Sequence, residues 1–260
     1  MGWNADLYMR FEIERTKPAR DLLAALPTDA FQSIIDLGCG PGNSTGLLQK
    51  AFPHAQLVGL DSSKEMLIKA RQALPDIPFL HQEITQWVKE HAQKAPLYDL
   101  IFANAALHWV PDHATLFPAL LSCLKPGGLL AVQMPDTLEE PSHKLMSQIA
   151  KTFASGHYGQ DAQALRTAIA PPQAYYDWLF PKAATIIMWH TRYYHMMPNI
   201  HAILEWIKGA GLRPFLSPLT EEEQKHYLTL YHYALQDAYP EQKDGQRLFP
   251  FPRFFLIAQK

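Results

Sequence analysis

The chain reads as an α/β protein built on a doubly wound, mostly parallel sheet. Three observations predict this. Apolar, strand-like runs alternate with helical segments up to about Ala131, a glycine-rich loop follows the first run, and a second run ends in an acid about 20 residues later. After Pro135 the alternation stops, so the C-terminal half follows a different pattern.

In order, a helix closes at residues 22–26 and the first strand begins near Ser33. Ile34-Ile35-Asp36-Leu37-Gly38-Cys39-Gly40-Pro41-Gly42-Asn43-Ser44-Thr45 then turns an apolar run into a glycine loop and a helix. Glycines remove the side chains that would hold backbone N–H groups away from a ligand, and the next helix points its positive end at the same place. A dinucleotide fingerprint needs G-x-G-x-x-G. Counting from Gly38 and Gly40 puts Asn43 at the third glycine position, and Gly42 comes one residue early. On its own, such a loop also suits a tight structural turn.

The second strand is Gln56-Leu57-Val58-Gly59-Leu60-Asp61. Asp61 is an acceptor-only carboxylate suited to the two hydroxyls of a ribose, and it is equally suited to cap the helix that begins near Ser63. Phe79-Leu80-His81-Gln82-Glu83-Ile84 makes a third strand with Glu83 at its end, and the run from Tyr98 to Trp109 makes a fourth with its exit loop. Residues 118–124 read as a helix, stopped by Lys125-Pro126-Gly127-Gly128 before a strand over 129–134.

Beyond Pro135, helices are expected over 142–153 and 172–179, and strands over 185–196 and 251–259. These strands would pair as an antiparallel hairpin closing a seven-stranded sheet. The stretch 198–248 is too long for a hairpin turn and reads as helices near 201–208 and 220–238. It is either a lid over a substrate pocket or a helical buttress without ligand contact. The expected organisation is one domain: 1–30 as cap and first helix, 31–134 as cofactor-binding core, 135–197 as helices and strand, 198–248 as lid, and 249–260 as final strand.

Composition sets outer limits. The 260 residues, 48% of them hydrophobic, suffice for a full core. A formal net charge of −2, with no dense Lys/Arg block, gives no reason to expect nucleic acid and favours a small ligand. Two cysteines, Cys39 and Cys123, make no disulfide framework and fit a reducing cytoplasm. Neither these nor the 12 scattered histidines show metal-site spacing, so no metal is expected. No leader-like start or membrane-length apolar run is visible, and nothing reads as a coiled coil or long apolar edge, so a cytoplasmic monomer is expected.

The motif Asp36-x-Gly38-x-Gly40-x-Gly42 resembles motif I of the class I methyltransferases that use S-adenosyl-L-methionine (SAM), and Lys125-Pro126-Gly127-Gly128 resembles their turn before the fifth strand. The resemblance implies a cofactor site formed by Asp36, Gly38, Cys39, Gly40, Gly42 and Asn43 at the loop. Asp61, Ser62 and Met66 would sit beside the ribose, Glu83 and Ile84 beside the adenine, and Asn104 and Ala105 near the methyl group. Most relatives carry Asp where Glu83 stands.

Further segments resemble the branch of this class that esterifies small tricarboxylates such as trans-aconitate. They are Trp3-Asn4, Tyr8, Glu14-Arg15, Trp109-x-Pro111-Asp112-His113, Val132-Gln133-Met134-Pro135-Asp136, Tyr193-Tyr194-His195-x-Met197-Pro198, Gly211-Leu212-Arg213-Pro214 and Phe251-Pro252-Arg253. That branch implies methyl transfer to one carboxylate, giving a monomethyl ester and S-adenosylhomocysteine. A carboxylate of pKa near 4 is ionised at pH 7, so the expectation is alignment and charge binding without an essential general base.

An acceptor of this kind calls for arginines, whose planar fork binds carboxylates in two places. Candidates are Arg15, which could touch either the methionine carboxylate or the acceptor, with Arg192, Arg213 and Arg253, Arg213 ranking above Arg253. Tyr8, His108, Trp109 and Tyr194 complete the expected acceptor set, His108 standing where close relatives carry Gln. Strand alternation puts Arg192 and Tyr194 on one face and Tyr193 and His195 on the other, so only one pair can face the acceptor. Two other readings stay open: a SAM enzyme acting on a phenol, amine or quinone precursor with a His or Tyr base, and a SAM-binding protein without turnover.

Overall fold

The computed structural model describes residues 12–27, 31–153, 168–209 and 211–260. Tyr8, Phe11 and the Trp3-Asn4 pair lie outside the described residues.

Along the chain run α1 (Glu12–Ala24), β1 (Ser33–Leu37), α2 (Asn43–Ala51), β2 (Gln56–Asp61), α3 (Lys64–Ala73), β3 (Phe79–His81), α4 (Ile84–His91) and β4 (Tyr98–Asn104). There follow α5 (His113–Ser122), β5 (Leu124–Pro135), α6 (Pro141–Ala150), α7 (Pro172–Leu179), β6 (Thr185–Met197), α8 (Ile200–Lys208), α9 (Arg213–Leu216), α10 (Glu221–Ala238) and β7 (Arg247–Gln259). A short 3-10 turn, Leu107–Trp109, follows β4. The seven strands lie in the order β3-β2-β1-β4-β5-β7-β6. Neighbours from β3 to β5 are parallel, and β7 runs antiparallel to both β5 and β6.

Neighbouring apolar residues on each central strand serve two different cores, as period-two alternation requires. Ile35, Ile101, Leu130 and Val132 pack with Trp87 of α4, Phe117 of α5 and Leu179 of α7. Ile34, Phe102, Leu129 and Ala131 pack on the opposite face with Leu22 of α1 and Leu48 of α2. These strands therefore read as continuous apolar runs, and α1 packs over the second of the two faces.

The helices between β6 and β7 form a third core with α6. Ile203, Trp206, Phe215, Tyr227 and Tyr231 pack on Met146, Phe249 and Phe251. Buried tyrosine hydroxyls need partners. Tyr227 donates to the Met146 carbonyl at 2.8 Å and Tyr231 to the Ser142 carbonyl at 2.7 Å, which ties α10 to α6. A capping box between Thr220 and Glu223 starts α10.

Several boundaries differ from expectation for physical reasons. The helix read over 118–124 begins earlier, because the Asp112 side chain accepts from Thr115 N–H and caps α5, which then contains Pro118. The β5 strand starts at Leu124 and carries the Lys-Pro-Gly-Gly turn inside it, where its register against β4 shifts between Tyr98 and Leu100. The helix expected over 142–153 spans Pro141–Ala150. Ser63, not Asp61, caps α3, accepting from Met66 N–H at 3.3 Å. Among the described residues, no helix is long and apolar enough to cross a membrane, and no group of three His, Cys, Asp or Glu side chains could hold a metal ion.

Candidate active site

The loop after β1 is fixed by main-chain contacts. Gly38 and Cys39 N–H both donate to the Leu60 carbonyl, at 2.7 and 3.0 Å, which draws the loop against the end of β2. Gly38 has φ +68°, and a Cβ there would come within 2.3 Å of Ala106 Cβ. Only glycine meets both conditions. Gly42, at φ +96°, caps α2 from a left-handed conformation.

Asp36 lies fully buried beneath this loop, one oxygen accepting from the Ser44 and Thr45 hydroxyls at 2.7 Å each. Burial pushes its carboxyl up to about 6, against the pull of those two hydroxyls. Its other oxygen has no hydrogen-bond partner. Burial also drives the Cys39 thiol far above its ordinary range, so it is an unreactive thiol.

At the end of β2, Asp61 accepts from Gly40 N–H and Ser63 N–H, one on each oxygen, both at 2.8 Å. Burial raises its pKa and these two bonds oppose the rise. A carboxylate offers about four lone-pair sites, so each oxygen keeps one for a further donor.

These groups line one cavity of about 340 Å³. Gly38, Cys39, Gly40 and Asn43 form one wall, with Asp61, Ser62 and Met66 beside them. Glu83 and Ile84 enter from the start of α4, and Asn104, Ala105 and Trp109 from the exit of β4. Arg15, Thr16 and Ala19 of α1 close the other side. Asp36 and Gly42 do not line it; they support the loop from behind. The Asn104 Oδ1 atom is buried without a hydrogen-bond partner. Ala105, next to it, sits at φ +53°, a left-handed conformation that costs an L-residue roughly 1–2 kcal/mol. Such strain is often stored where a ligand meets the main chain.

The expected acceptor residues are more dispersed. His108 lines a second cavity of about 380 Å³ that shares Trp109, Val110 and Pro111 with the first. Arg192 and Tyr194 lie on the outward face of β6, with side-chain exposure of 51% and residue exposure of 56% respectively. Arg192 Nη2 binds both Glu140 carboxylate oxygens at 2.8 Å. Arg213 is exposed at the start of α9 and lines neither cavity. Tyr8 lies outside the described residues.

The inward face of β6 instead carries Tyr193 and His195, and Arg253 of β7 is buried on the same side of the sheet. The parity of β7 turns Arg253 inward between Phe251 and Phe255, so that Arg253 is buried where Arg213, ranked above it as an acceptor ligand, is exposed. Arg253 donates to Gln133 Oε1 at 3.2 Å. Arg15 donates to the Trp206 carbonyl at 2.9 Å and lies over its ring at 4.8 Å. Burial lowers His195 to about 4, with Arg253 and Arg15 adding to the effect, so its ring is neutral at pH 7. In the sequence Gln133 stands only inside the 132–136 segment of the resemblance and is not among the expected site residues. Its signal was a lone polar residue inside the apolar run Leu129-Leu130-Ala131-Val132-Gln133-Met134.

A family model described as a methyltransferase domain matches residues 35–130. The chain is 48% identical over 258 residues to a curated trans-aconitate 2-methyltransferase from Acidovorax ebreus, covering 99% of this chain and 98% of that protein. It is also 48% identical over 256 residues to one from Yersinia pestis, covering 98% and 97%. Among solved structures, a SAM-dependent methyltransferase from Archaeoglobus fulgidus shares the fold at a TM-score of 0.55 and 13% identity, covering 97% of this chain and 99% of that one.

Proposed function

The chain belongs to the family of trans-aconitate 2-methyltransferases, and from that premise we propose that it transfers the SAM methyl group to a carboxylate of trans-aconitate. The products are a monomethyl ester and S-adenosylhomocysteine. The observation that carries this reading is the joining of near-full-length family similarity to a cavity whose chemistry suits this cofactor.

Three features favour the fit. Asp61 keeps one acceptor site on each oxygen for two ribose hydroxyls. No heavy atom lies within 4 Å of where a Cβ on Gly40 would stand, so the loop is open to the cavity there. Asn104 Oδ1 is a buried acceptor in need of a donor, which an amino-acid ammonium would supply. Gly38 to Asn43 would embrace the cofactor, Glu83 and the Ile84 N–H would meet its base, and Ala105 would border the reacting end.

When bound, SAM supplies an electrophilic methyl group on a sulfonium. The chain's own residues then have to align a carboxylate oxygen with that methyl and keep water out. No proton needs removal, since the acceptor is ionised at pH 7. Among the described residues, the titratable side chains lining the cavity are Arg15, Cys39, Asp61 and Glu83. Cys39 is held protonated, Asp61 and Glu83 are acids assigned to the cofactor's ribose and base, and Arg15 is the cation of the set, suited to bind an anion.

We also propose that residues 198–248 form the acceptor-side wall, since Trp206 of α8 holds Arg15 of α1 at the cavity. The free, buried Cys39 and Cys123 suit a reducing compartment, which favours the cytoplasm.

The test is a competitive assay with purified protein and labelled SAM against trans-aconitate, cis-aconitate, citrate, isocitrate and a phenol, with products resolved by mass. A base-labile monomethyl ester formed mainly from trans-aconitate is expected. Methylation of the phenol alone, or of none of them, overturns the substrate assignment.

A further inference from the structure

We propose that the acceptor's non-reacting carboxylates are bound by a buried, donor-rich cluster beneath α1, made by Gln133, His195 and Arg253 together with Arg15 and Thr16. This rests on the reading of the protein as a carboxyl methyltransferase and adds where, and by which chemistry, the polycarboxylate is recognised.

The cluster follows from register. Gln133 of β5 stands beside Asn104 of β4 on one side and Phe255 of β7 on the other. Arg253 lies two residues before Phe255, hence on the same sheet face, and its guanidinium reaches the Gln133 carbonyl oxygen. Arg253 also lies over the Phe251 ring at 4.7 Å, and that ring is 6.1 Å from His195. His195 in turn lies 4.6 Å from Trp206, ring centre to ring centre and tilted by 35°, and Trp206 holds Arg15. A chain of neighbours, Gln133, Arg253, Phe251, His195 and Trp206, therefore links Asn104 to Arg15, and those two ends line the cofactor cavity while Gln133, Arg253 and His195 lie behind its wall.

The cluster is deeply buried: Gln133 is 0% exposed, Arg253 4%, His195 8% and Arg15 8%. Three of its polar atoms have no hydrogen-bond partner: Gln133 Nε2, His195 Nε2 and Thr16 Oγ1. Because Gln133 Oε1 is already taken by Arg253, what remains at Gln133 is a pair of N–H donors. Buried donors without acceptors are costly, and a site that keeps several beside two guanidiniums matches an anionic ligand that only accepts. A carboxylate is such a group, and its planar oxygens match the arginine fork. A phenol or an amine would leave these donors unmet, so the cluster also provides selectivity for a polycarboxylate.

The test is equilibrium binding of trans-aconitate to the protein saturated with S-adenosylhomocysteine, for wild type, Gln133→Leu and His195→Phe. Each is compared with a dicarboxylate analogue lacking one non-reacting carboxylate. Wild type is expected to bind trans-aconitate more tightly than the analogue. Gln133→Leu is expected to weaken trans-aconitate by about tenfold or more and the analogue by much less. Affinity for S-adenosylhomocysteine should stay within about twofold, which also reports that the variant is folded. Equal losses for both acids, an unchanged trans-aconitate affinity, or no trans-aconitate binding in wild type would overturn the assignment. Tight, Gln133-dependent binding without ester formation would uphold the cluster while refuting the proposed reaction.

Discussion

The cavity's loop wall and the buried cluster behind its α1 side are built from different materials. At the cofactor end the main chain does the work: the Gly38, Cys39 and Gly40 N–H groups are spent on Leu60 and Asp61, and the loop is narrow because glycines leave no side chains. At the acceptor end proposed above, the groups are long side chains from four separate elements, α1, β5, β6 and β7, brought together behind the cavity wall by sheet register. A main-chain site tolerates almost no substitution at its turns. A side-chain site depends on strand parity and tolerates changes one residue away.

The largest effect is expected at Gly38. Gly38→Ala forces an L-residue to φ +68° and a Cβ into Ala106, costing roughly 2–4 kcal/mol of stability. Cofactor affinity should fall by at least about 100-fold in a calorimetric titration with S-adenosylhomocysteine. Retained affinity would mean that main-chain shape is not what sets this end apart.

Asp61→Asn should come next. An amide can accept from Gly40 or Ser63 N–H but must turn its own NH₂ on the other. Roughly a 10–100-fold loss of S-adenosylhomocysteine affinity follows, with the KM for trans-aconitate little changed. A matching loss for the acceptor would erase the division between the ends.

Asp36 offers a pH signature. Its folded pKa, about 6, lies above the unfolded value of 3.8. Its stabilising contribution is therefore complete below pH 3.8 and lost as pH rises through 6. The total loss is on the order of 3 kcal/mol. Asp36→Asn should remove this change, so the difference in melting temperature between variant and wild type moves in the variant's favour from pH 4 to 7. A difference that is flat with pH would contradict the buried, destabilised carboxylate.

The smallest effect is expected on the outer face of β6. Arg192→Ala breaks an ion pair with Glu140 on the side of the strand away from the cluster, so the KM for trans-aconitate should change by no more than about twofold. A tenfold rise would move the acceptor to that face.

The unequal legibility of the two ends in the sequence has the same origin. Gly38, Gly40 and Gly42 are tied to positive φ angles and Asp61 to two main-chain N–H groups, and their spacing along the chain is itself the imprint of the loop. The alternation of apolar runs likewise reports strands buried on both faces, which is why the sheet could be read from composition and order. The acceptor end has no such local imprint. Arg192 and Arg253 are both arginines in strands, and only the pairing of Thr191 with Arg253 across β6 and β7 decides which one turns inward. Tyr193 and His195 were recognisable as one face of β6, but their inward direction is set by α1 and α8, far away in sequence. Gln133 hid as one polar residue in an apolar strand. The caps were missed for a smaller reason: Asp112 and Ser63 compete with neighbouring polar residues, and hydrogen-bond geometry decides between them.

The central claim is that this cavity aligns an already ionised carboxylate with the methyl donor and abstracts no proton. The most direct measurement is the single-turnover rate of methyl transfer to trans-aconitate across pH 6.5 to 9, in wild type and in His108→Phe. The account predicts a monomethyl ester formed at a rate independent of pH in both proteins. A rate that climbs about tenfold per pH unit to a plateau, and that His108→Phe abolishes, would show a general base and contradict it.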